Sequence, residues 1–469
     1  MNLWHMKHRS NPEQGQISLG LLTLWLTILT IVPFGTSKAQ SGSKHFSLKE
    51  AVDYATANQN SIKIAKLDEY LAEKRVKEYS AVALPQANGY FRFTDNLVIP
   101  TMVVPANQFD PTAPEDVFFK LQFGVQYQAQ GGAQLSQLIF SGSYIYGLRA
   151  AKEYLAMGSR NVERTKVETA ETVSKAYYAA LIASKQFQIL QSNVDRVQKL
   201  LTTMEAMHAE GFIEKLDLDR IGITYRNLLT EQTKVARLVA LSADVLKFQM
   251  GLDINTPVIL TDTIASPTAP PPVQNPDEGS GFHRNRTEYE LLRMTESIHL
   301  LNSKRIKAGS LPAVSAFGDL GYTWAAPNLG RLDEEGFWFP FAVVGLQVGV
   351  PLFNGFAGKA RLQQSNLEAE KIRLTMNTFE DAVRLEVSNA RVTIANAYNT
   401  ILSNQATLNL ARDVSRITRI KYEEGIGSNL EVIEAENTLR EAESNYLSSL
   451  YEYKLAEIAL KKAKGQLLN

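Results

Sequence analysis

The sequence predicts an α+β membrane protein in which three copies of an internally duplicated chain close one twelve-stranded β-barrel above long helices. Three observations predict it: an export signal, a set of landmarks that occurs twice in the same order, and four strand-like runs with one apolar and one polar face. Composition first removes other classes. The 469 residues carry 49 Lys+Arg against 49 Asp+Glu, and a net charge of zero argues against nucleic acid as a partner. With no cysteine there is no disulfide framework, thiolate nucleophile or Cys-ligated metal. The mean hydropathy of −0.16 is too polar for a multi-helix membrane protein.

The N-terminal segment has three parts. Lys7 and Arg9 precede a sixteen-residue apolar run, Ile17 to Val32, and Pro33 and Gly35 then break it. Ser37-Lys38-Ala39 puts small residues at the −3 and −1 positions of a cleavage site before Gln40. This is the layout of a secretory signal peptide over residues 1–39, and the run falls short of the roughly 20 residues a spanning helix needs. No later run of that length is apolar, so any membrane crossing falls to strands.

The duplication shows as an offset. Glu210-Gly211-Phe212-Ile213 through Leu218 recurs as Glu424-Gly425-Ile426-Gly427 through Val432, 214 residues on, and the same offset carries Leu246 to Leu460 and Gly251 to Gly465. Phe140-Ser141-Gly142 matches Phe353-Asn354-Gly355, and Leu84-Pro85 matches Leu311-Pro312. Landmarks repeated in order at nearly constant spacing mark a structural repeat. The chain divides into a first repeat at 40–256, a Pro-rich linker at 257–282 placed on the outside at mid-height, and a second repeat at 283–469.

Each repeat holds one very long helix. From about Tyr144 to His208, and from Gly358 to Glu423, there is no proline and almost no glycine, so each run reaches roughly 100 Å. Leu362, Ala369, Met376, Val383, Ala390 and Ala397 recur every seven residues, flanked by Val387, Ile394, Ile401 and Leu408. That is coiled-coil spacing, and alanine permits close approach. In the returning helix Leu439, Ala442, Tyr446, Tyr453, Ala456, Leu460 and Ala463 keep the pattern, with Ser449 outside it. Shorter helices are expected at 47–82, 213–249, 283–309 and 428–463. Stacked end to end, 47–82 with 428–463 and 213–249 with 283–309, each pair matches one long helix and gives four columns of equal height.

Four strands are expected, at about 86–96, 121–139, 313–324 and 340–353. Phe119, Leu121, Phe123, Val125, Tyr127 and Ala129 alternate with Lys120, Gln122, Gly124, Gln126, Gln128 and Gln130. Val344, Leu346, Val348, Val350 and Leu352 alternate with Gly345, Gln347 and Gly349, and Val314, Ala316, Leu320, Tyr322 and Trp324 follow the same rule. Such runs fit barrel strands with lipid outside and water inside. Four strands cannot close, so their edges must meet other copies. A dimer would give eight strands and a filled interior, a trimer twelve and an open lumen. The polar inner face favours the trimer. The segments at 97–118 and 325–339 read as long extracellular loops.

This layout resembles the TolC-like outer-membrane factor family, the exit ducts of tripartite efflux pumps and type I secretion systems. The resemblance is carried by Leu48, Ala51, Ala55 and Asn58, the strand entry Leu84-Pro85, the strand exits Leu138 to Gly142 and Pro351 to Gly355, and the tip from Tyr422 through Gly425 to Leu430-Glu431-Val432-Ile433-Glu434-Ala435. It covers about 46–466. It implies a homotrimer in outer-membrane lipid, with a twelve-stranded β-barrel continuous with a twelve-helix periplasmic α-barrel. The tunnel would be closed at its periplasmic tip and opened by an adaptor protein and an inner-membrane transporter. Drugs, metal ions and polypeptide all remain as cargo.

Glu431 and Glu434 lie three apart, hence on one helix face. The resemblance implies that these positions ring the narrow entrance. Six carboxylates from three copies, roughly 8 Å apart at an effective dielectric near 40, would repel by about 1 kcal/mol per pair and attract cations. Asp217 and Tyr422 match positions whose hydrogen bonds hold the family's gate shut. Gly427 stands where the family has an arginine, and Arg220 is a candidate substitute. Gly211 and Gly425 are expected to make the tight turns that the adaptor contacts.

Other motifs carry little. Gly355-Phe356-Ala357-Gly358-Lys359-Ala360 echoes a phosphate loop but has Phe353 where its first glycine belongs and Ala360 for Ser/Thr. Met204, Met207 and His208 share a helix face, where packing between helices explains them better than a metal. There is no HExxH and no GxSxG. No enzyme activity, cofactor or metal is expected. The competing reading is a surface coiled coil with a structural or adhesive role and a small β-domain.

Overall fold

Two helices set the scale of the protomer: α3 (Gly142–Ala209), of 68 residues, and α6 (Ala357–Glu423), of 67. At 1.5 Å per residue each is about 100 Å long. The computed structural model describes residues 44–109, 111–112, 114–270 and 281–468. The expected signal peptide at 1–39 and the linker residues 271–280 lie outside the described residues. Five shorter helices flank the long pair: α1 (Leu48–Asn58), α2 (Asn60–Ala81), α4 (Lys215–Met250), α5 (Thr287–Ala308) and α7 (Asn429–Ala463). None of the described helices is long and apolar enough to cross a membrane.

The seven-residue spacing in α6 is used as the sequence suggests. Val383, Ala390 and Ala397, with Val387, Ile394, Ile401 and Leu408, are buried. In α7 the structure corrects one position: Ser449 is buried with the core row, its hydroxyl donating to the Tyr446 carbonyl at 2.8 Å. That local bond satisfies the hydroxyl without a partner helix.

The stacking also differs from expectation. Upper helices α2, α3, α5 and α6 neighbour one another in that order; below, α4 flanks α3 on one side, and α7 lies between α3 and α6. So α1 and α2 stand above α4, and α5 stands above α7, rather than the pairs 47–82 with 428–463 and 213–249 with 283–309. Two glycines make these junctions. Gly251 and Gly465 end α4 and α7 at φ 67° and 70°, and a Cβ on Gly251 would lie 2.9 Å from Gln59 Cα, one on Gly465 2.7 Å from the Asn285 carbonyl oxygen. Only glycine meets both the left-handed conformation and the close approach. The expected single helix at 47–82 breaks at this same place. Gln59 is extended at φ −62°, ψ 135°, and its side chain accepts from Ser61 N at 2.7 Å, capping α2.

Four antiparallel strands form the main sheet in the order β2 (Gln86–Asp95), β5 (Tyr127–Phe140), β7 (Ala313–Ala326) and β8 (Trp338–Gly349). The pairing Phe93↔Ala129↔Trp324↔Trp338 sets its register. That register gathers Phe91, Phe93, Leu135, Leu320, Tyr322, Val344, Leu346 and Val348 on one face, all exposed in the protomer. Gln128, Gln130, Gln134, Asn88, Arg92, Asp319 and Gln347 fall on the other. The expected strand at 121–139 is two strands. β4 (Phe118–Gln122) pairs with β3 (Thr101–Pro105) in a separate hairpin between β2 and β5, and the main-sheet strand starts at Tyr127. Gly124, at φ 129°, lies between β4 and β5 and accounts for the break.

On the polar face two rings lie across two glycines. Tyr90, Gly132, Gly321 and Phe341 are directly opposed across the four strands. A Cβ on Gly321 would meet the Gly131 carbonyl oxygen and come within 3.0 Å of the Phe341 ring; one on Gly132 would lie 2.5 Å from the Leu320 carbonyl oxygen. Over the space at Gly132 the Tyr90 hydroxyl donates to the Asp319 carboxylate at 3.2 Å.

The start of the Pro-rich segment is a strap. β6 (Val258–Leu260) pairs in parallel with β1 (Lys44–Phe46), and the Asp262 carboxylate accepts from Leu48 N at 2.7 Å, capping α1. The Tyr177 hydroxyl donates to the Phe46 carbonyl at 3.0 Å, and Ser266 Oγ meets the Tyr446 hydroxyl at 2.5 Å on α7.

Ion pairs cluster near this level, and one of them joins the two halves. Glu171 on α3 sits 2.6 Å from Lys175 and 2.7 Å from Lys462 of α7, and the buried Arg286 holds Glu288 at 3.0 Å and Glu386 at 3.1 Å. Burial would raise the carboxyls of Glu171 and Glu288, but hydrogen bonds and charge from their cationic partners outweigh it and hold both below the ordinary 4.5. A depressed folded-state value stabilises the protein above the unfolded value, and that stability is lost as pH falls through the folded one. Thermal unfolding is therefore expected to be flat from neutral pH to about 5 and to drop below about 4.5. Glu171→Gln should lower the neutral-pH midpoint and flatten the acid drop. An unchanged acid drop would remove Glu171 from the account.

Candidate gate at the helical tip

Two turns form the end of the protomer opposite the sheet. α3 reverses into α4 through Glu210 to Glu214, and α6 into α7 through Glu424 to Ser428. Gly211 and Gly425 take φ 78° and 76°, and each closes the same pair of bonds. Gly211 N donates to the His208 carbonyl at 3.0 Å and Phe212 N to that of Met207 at 2.8 Å. Gly425 N donates to the Tyr422 carbonyl at 3.0 Å and Ile426 N to that of Lys421 at 2.9 Å. This is the left-handed glycine cap that satisfies the last carbonyls of a helix. It turns Phe212 and Ile426 outward, each 77% exposed. Ser428 then starts α7, its hydroxyl accepting from Glu431 N at 3.3 Å.

Glu431 and Glu434 are exposed on one face of the first turns of α7, with no ion pair to either among the described residues. Asp217 and Tyr422 are brought to the same level but not to each other by a hydrogen bond. The structure adds a residue that the sequence reading missed. Asn429 is buried at the start of α7, and its Nδ2 donates to the Asp217 carbonyl at 3.1 Å and the Asp217 carboxylate at 3.3 Å, tying α4 to α7. Tyr422 packs inward against Met204, Ile221 and Val432. Burial, with the Asp217 charge adding to it, pushes its hydroxyl above the ordinary 10.0. Tyr422 Oη and Asn429 Oδ1 are both buried without a hydrogen-bond partner.

Arg220 does not replace the missing arginine across the tip. Its guanidinium lies 3.7 Å from Asp217 within the same helix, so the pair ties nothing together. Gly427 has a local reason: a Cβ there would lie 3.1 Å from Tyr422 N and 3.2 Å from Lys421 Cβ. Met204 is wholly buried, and His208 Nδ1 sits 3.0 Å from the Ile213 carbonyl oxygen, bracing the turn.

A larger network lies roughly 10 Å above Ser428. Glu436 of α7, only 8% exposed, accepts from Ser415 Oγ at 2.8 Å and from Arg419 on α6, and from Arg196 Nε on α3 at 3.3 Å. Arg196 also donates to Asn193 Oδ1, and Asn193 Nδ2 donates to the buried Glu443 at 3.0 Å. Three columns from both halves of the chain thus share one polar chain. Its signal in the sequence was present: Glu436 and Glu443 are seven apart and stand in the inward row with Val432, Leu439 and Leu450, where an acid needs a partner.

Comparison with known proteins agrees with this architecture. Residues 306–466 match the family model for outer membrane efflux proteins. The chain is 21% identical over 446 residues to a probable efflux pump outer membrane protein, TtgC of Pseudomonas putida, a match spanning 91% of this chain and 85% of the relative. The antibiotic efflux pump outer membrane protein ArpC of Pseudomonas putida matches to the same extent. The fold is similar to the CmeC outer membrane channel of Campylobacter jejuni, with a TM-score of 0.70 at 16% identity, over 89% of this chain and 85% of that one. It is also similar to the open state of the MtrE outer membrane channel of Neisseria gonorrhoeae, with a TM-score of 0.66 at 16% identity, over 90% and 89%. Set beside the sheet and the long helical columns, these matches show that the chain resembles the TolC-like outer membrane efflux proteins, sharing the fold of outer membrane channels and matching the family model over residues 306–466.

Proposed function

We propose that three copies of this chain form the exit duct of a tripartite efflux pump, with a twelve-stranded barrel in the outer membrane standing on a tunnel of twelve helical columns. The observation that carries the reading is the sheet. It has four strands, one apolar and one polar face, and two outer edges, β2 and β8, that pair with nothing among the described residues. Such edges are untenable in hydrocarbon unless other copies close them. The helices support the same arrangement. Exposed apolar rows flank the protomer on both sides: Ile64, Leu67 and Leu71 of α2 with Leu238 and Leu241 of α4 on one, and Leu367, Leu374, Leu385 and Val392 of α6 on the other. Two different complementary flanks generate a ring. In this reading the repeats 40–256 and 283–469, on either side of the linker 257–282, each supply two strands and two columns.

The matched relatives named for efflux favour that role over polypeptide secretion. The tip is the gate. Glu431 and Glu434 ring the constriction, while Asp217, Asn429 and Tyr422 hold the two hairpins together. The buried, unpartnered oxygens of Tyr422 and Asn429 are hydrogen-bonding capacity available to a rearranged tip. The exposed Phe212 and Ile426 beside Gly211 and Gly425 give a periplasmic adaptor two similar apolar footholds, and an inner-membrane transporter supplies the energy.

Detergent-extracted protein is expected to have the native mass of three chains and to form discrete channels in a planar bilayer. Glu431→Ala with Glu434→Ala should raise the half-blocking concentration of a trivalent cation about tenfold or more, since six carboxylates leave one constriction. A monomer without conductance would overturn the duct, and unchanged block would overturn the ring alone.

A further inference from the structure

The geometry points to a binding site for the headgroup phosphate of an anionic phospholipid, at the junction of barrel and helices in the second half of the chain. A cavity of about 560 Å³ opens between the end of α5 and the start of α6, directly beneath β7 and β8. Arg305, Lys307, Lys359 and Arg361 line it with Leu352 and Phe356. Its wall holds no carboxylate. Between Glu296 and Glu368 the chain has only four acids: Asp319 on the polar face of β7, and Asp333, Glu334 and Glu335 in the loop at the far end of the sheet. Among the described residues none of the four cations has an ion pair, and the one side-chain bond among them runs from Arg305 Nε to Asn302 Oδ1 at 3.0 Å. Four cations around one concavity repel each other until an anion joins them.

The position selects the anion. Leu352, Phe353 and Phe356 are exposed just beyond Val344, Leu346 and Val348, so the apolar band of the sheet runs straight into the cavity's rim. The headgroup layer begins where that band ends, and basic pockets at this depth take anionic headgroups. The extracellular loops occupy the other end of the strands, so the leaflet concerned is the one on the helical side. The first half of the chain is built differently at the matching junction. Glu73, Glu78 and Glu153 accompany Lys74, Arg75, Lys77, Arg149 and Lys152, Lys77 pairs with Glu73 at 2.7 Å, and Tyr79 stacks on Tyr144. The inference gives one site per chain and rests on the membrane placement of the sheet proposed above.

The test is native mass spectrometry of the detergent-purified full-length protein titrated with phosphatidylglycerol, phosphatidylcholine or inorganic phosphate. The comparison is with the variant Arg305→Gln/Lys307→Gln/Lys359→Gln/Arg361→Gln. Wild type is expected to retain up to one phosphatidylglycerol per chain in preference to phosphatidylcholine, and the variant to need at least tenfold more lipid while keeping its conductance. Equal retention of the two lipids, equal retention by the variant, or inorganic phosphate held as firmly as the lipid would overturn the site. Loss of conductance in wild type would instead overturn the duct, which keeps the two failures distinct. Should the quadruple variant misfold, Lys307→Gln/Lys359→Gln alone is expected to show a smaller loss in the same direction, and an unchanged lipid affinity would overturn the site.

Discussion

Gly321→Val is expected to leave the chain unable to assemble the proposed barrel, with no trimer recovered from outer membranes. Gly321 sits in β7, in the interior of the sheet, opposite Gly132 on one side and Phe341 on the other. The added Cβ alone would strike the Gly131 carbonyl oxygen and lie 2.7 Å from Gly132 Cα, both backbone atoms of the paired strand. No rotamer change relieves a contact with backbone, so β5 and β7 must separate, at a cost of about 3 kcal/mol. Relief by sliding is closed as well, because a one-residue slip would turn the apolar face inward. Gly349→Val is the control. It lies on the same face of β8, a Cβ there meets nothing within 4 Å, and valine suits a strand. The measurement is trimer yield after membrane extraction. Normal yield for Gly321→Val, or equal loss for both variants, would show that the close crossing of β5 and β7 does not limit assembly.

Much of this fold was legible because its signals are periodic. The seven-residue rows in α6 and the two-residue alternation in β7 and β8 revealed element type, the buried face of the helix and the apolar face of the sheet. What escaped were features set by contact between distant segments. Gln59 breaks a helix for the sake of Gly251, almost 200 residues away, and nothing near Gln59 announces it. The pairing of upper and lower columns depends on which ends touch, and helix lengths alone allowed either arrangement. Phe119 to Tyr127 alternate as one strand would, yet Gly124 at positive φ splits them, since a hairpin arm and a strand of the main sheet share the same period. At the tip, glycines with positive φ were readable from the repeat. Asn429 was not, because an asparagine at a helix start has an ordinary role in capping, and only the structure shows its side chain crossing to Asp217 instead.

The second large effect is expected from Glu436→Ala, which should loosen the lower part of the proposed tunnel and raise its resting conductance. One buried carboxylate holds Arg196 of α3, Arg419 and Ser415 of α6, and through Asn193 a second acid on α7. Removing it leaves two partly buried guanidinium groups without their counter-ion. Breaking a buried pair costs 3–5 kcal/mol, and because both arginines are about a third exposed the lower figure, about 3 kcal/mol, is appropriate. That loss falls where α3 of the first half meets α7 of the second, just above the proposed constriction, so in the proposed gate the closed arrangement of the tip would bear it. Glu436→Gln keeps the shape and some hydrogen bonding and should fall between wild type and alanine. Glu441→Ala, an exposed acid on the same helix, should change neither quantity. The readouts are single-channel conductance and the thermal midpoint of the trimer. A lower midpoint with unchanged conductance would make the network a structural brace and leave the gate to Asp217 and Asn429, whereas a shift in both would place the latch of the duct at Glu436.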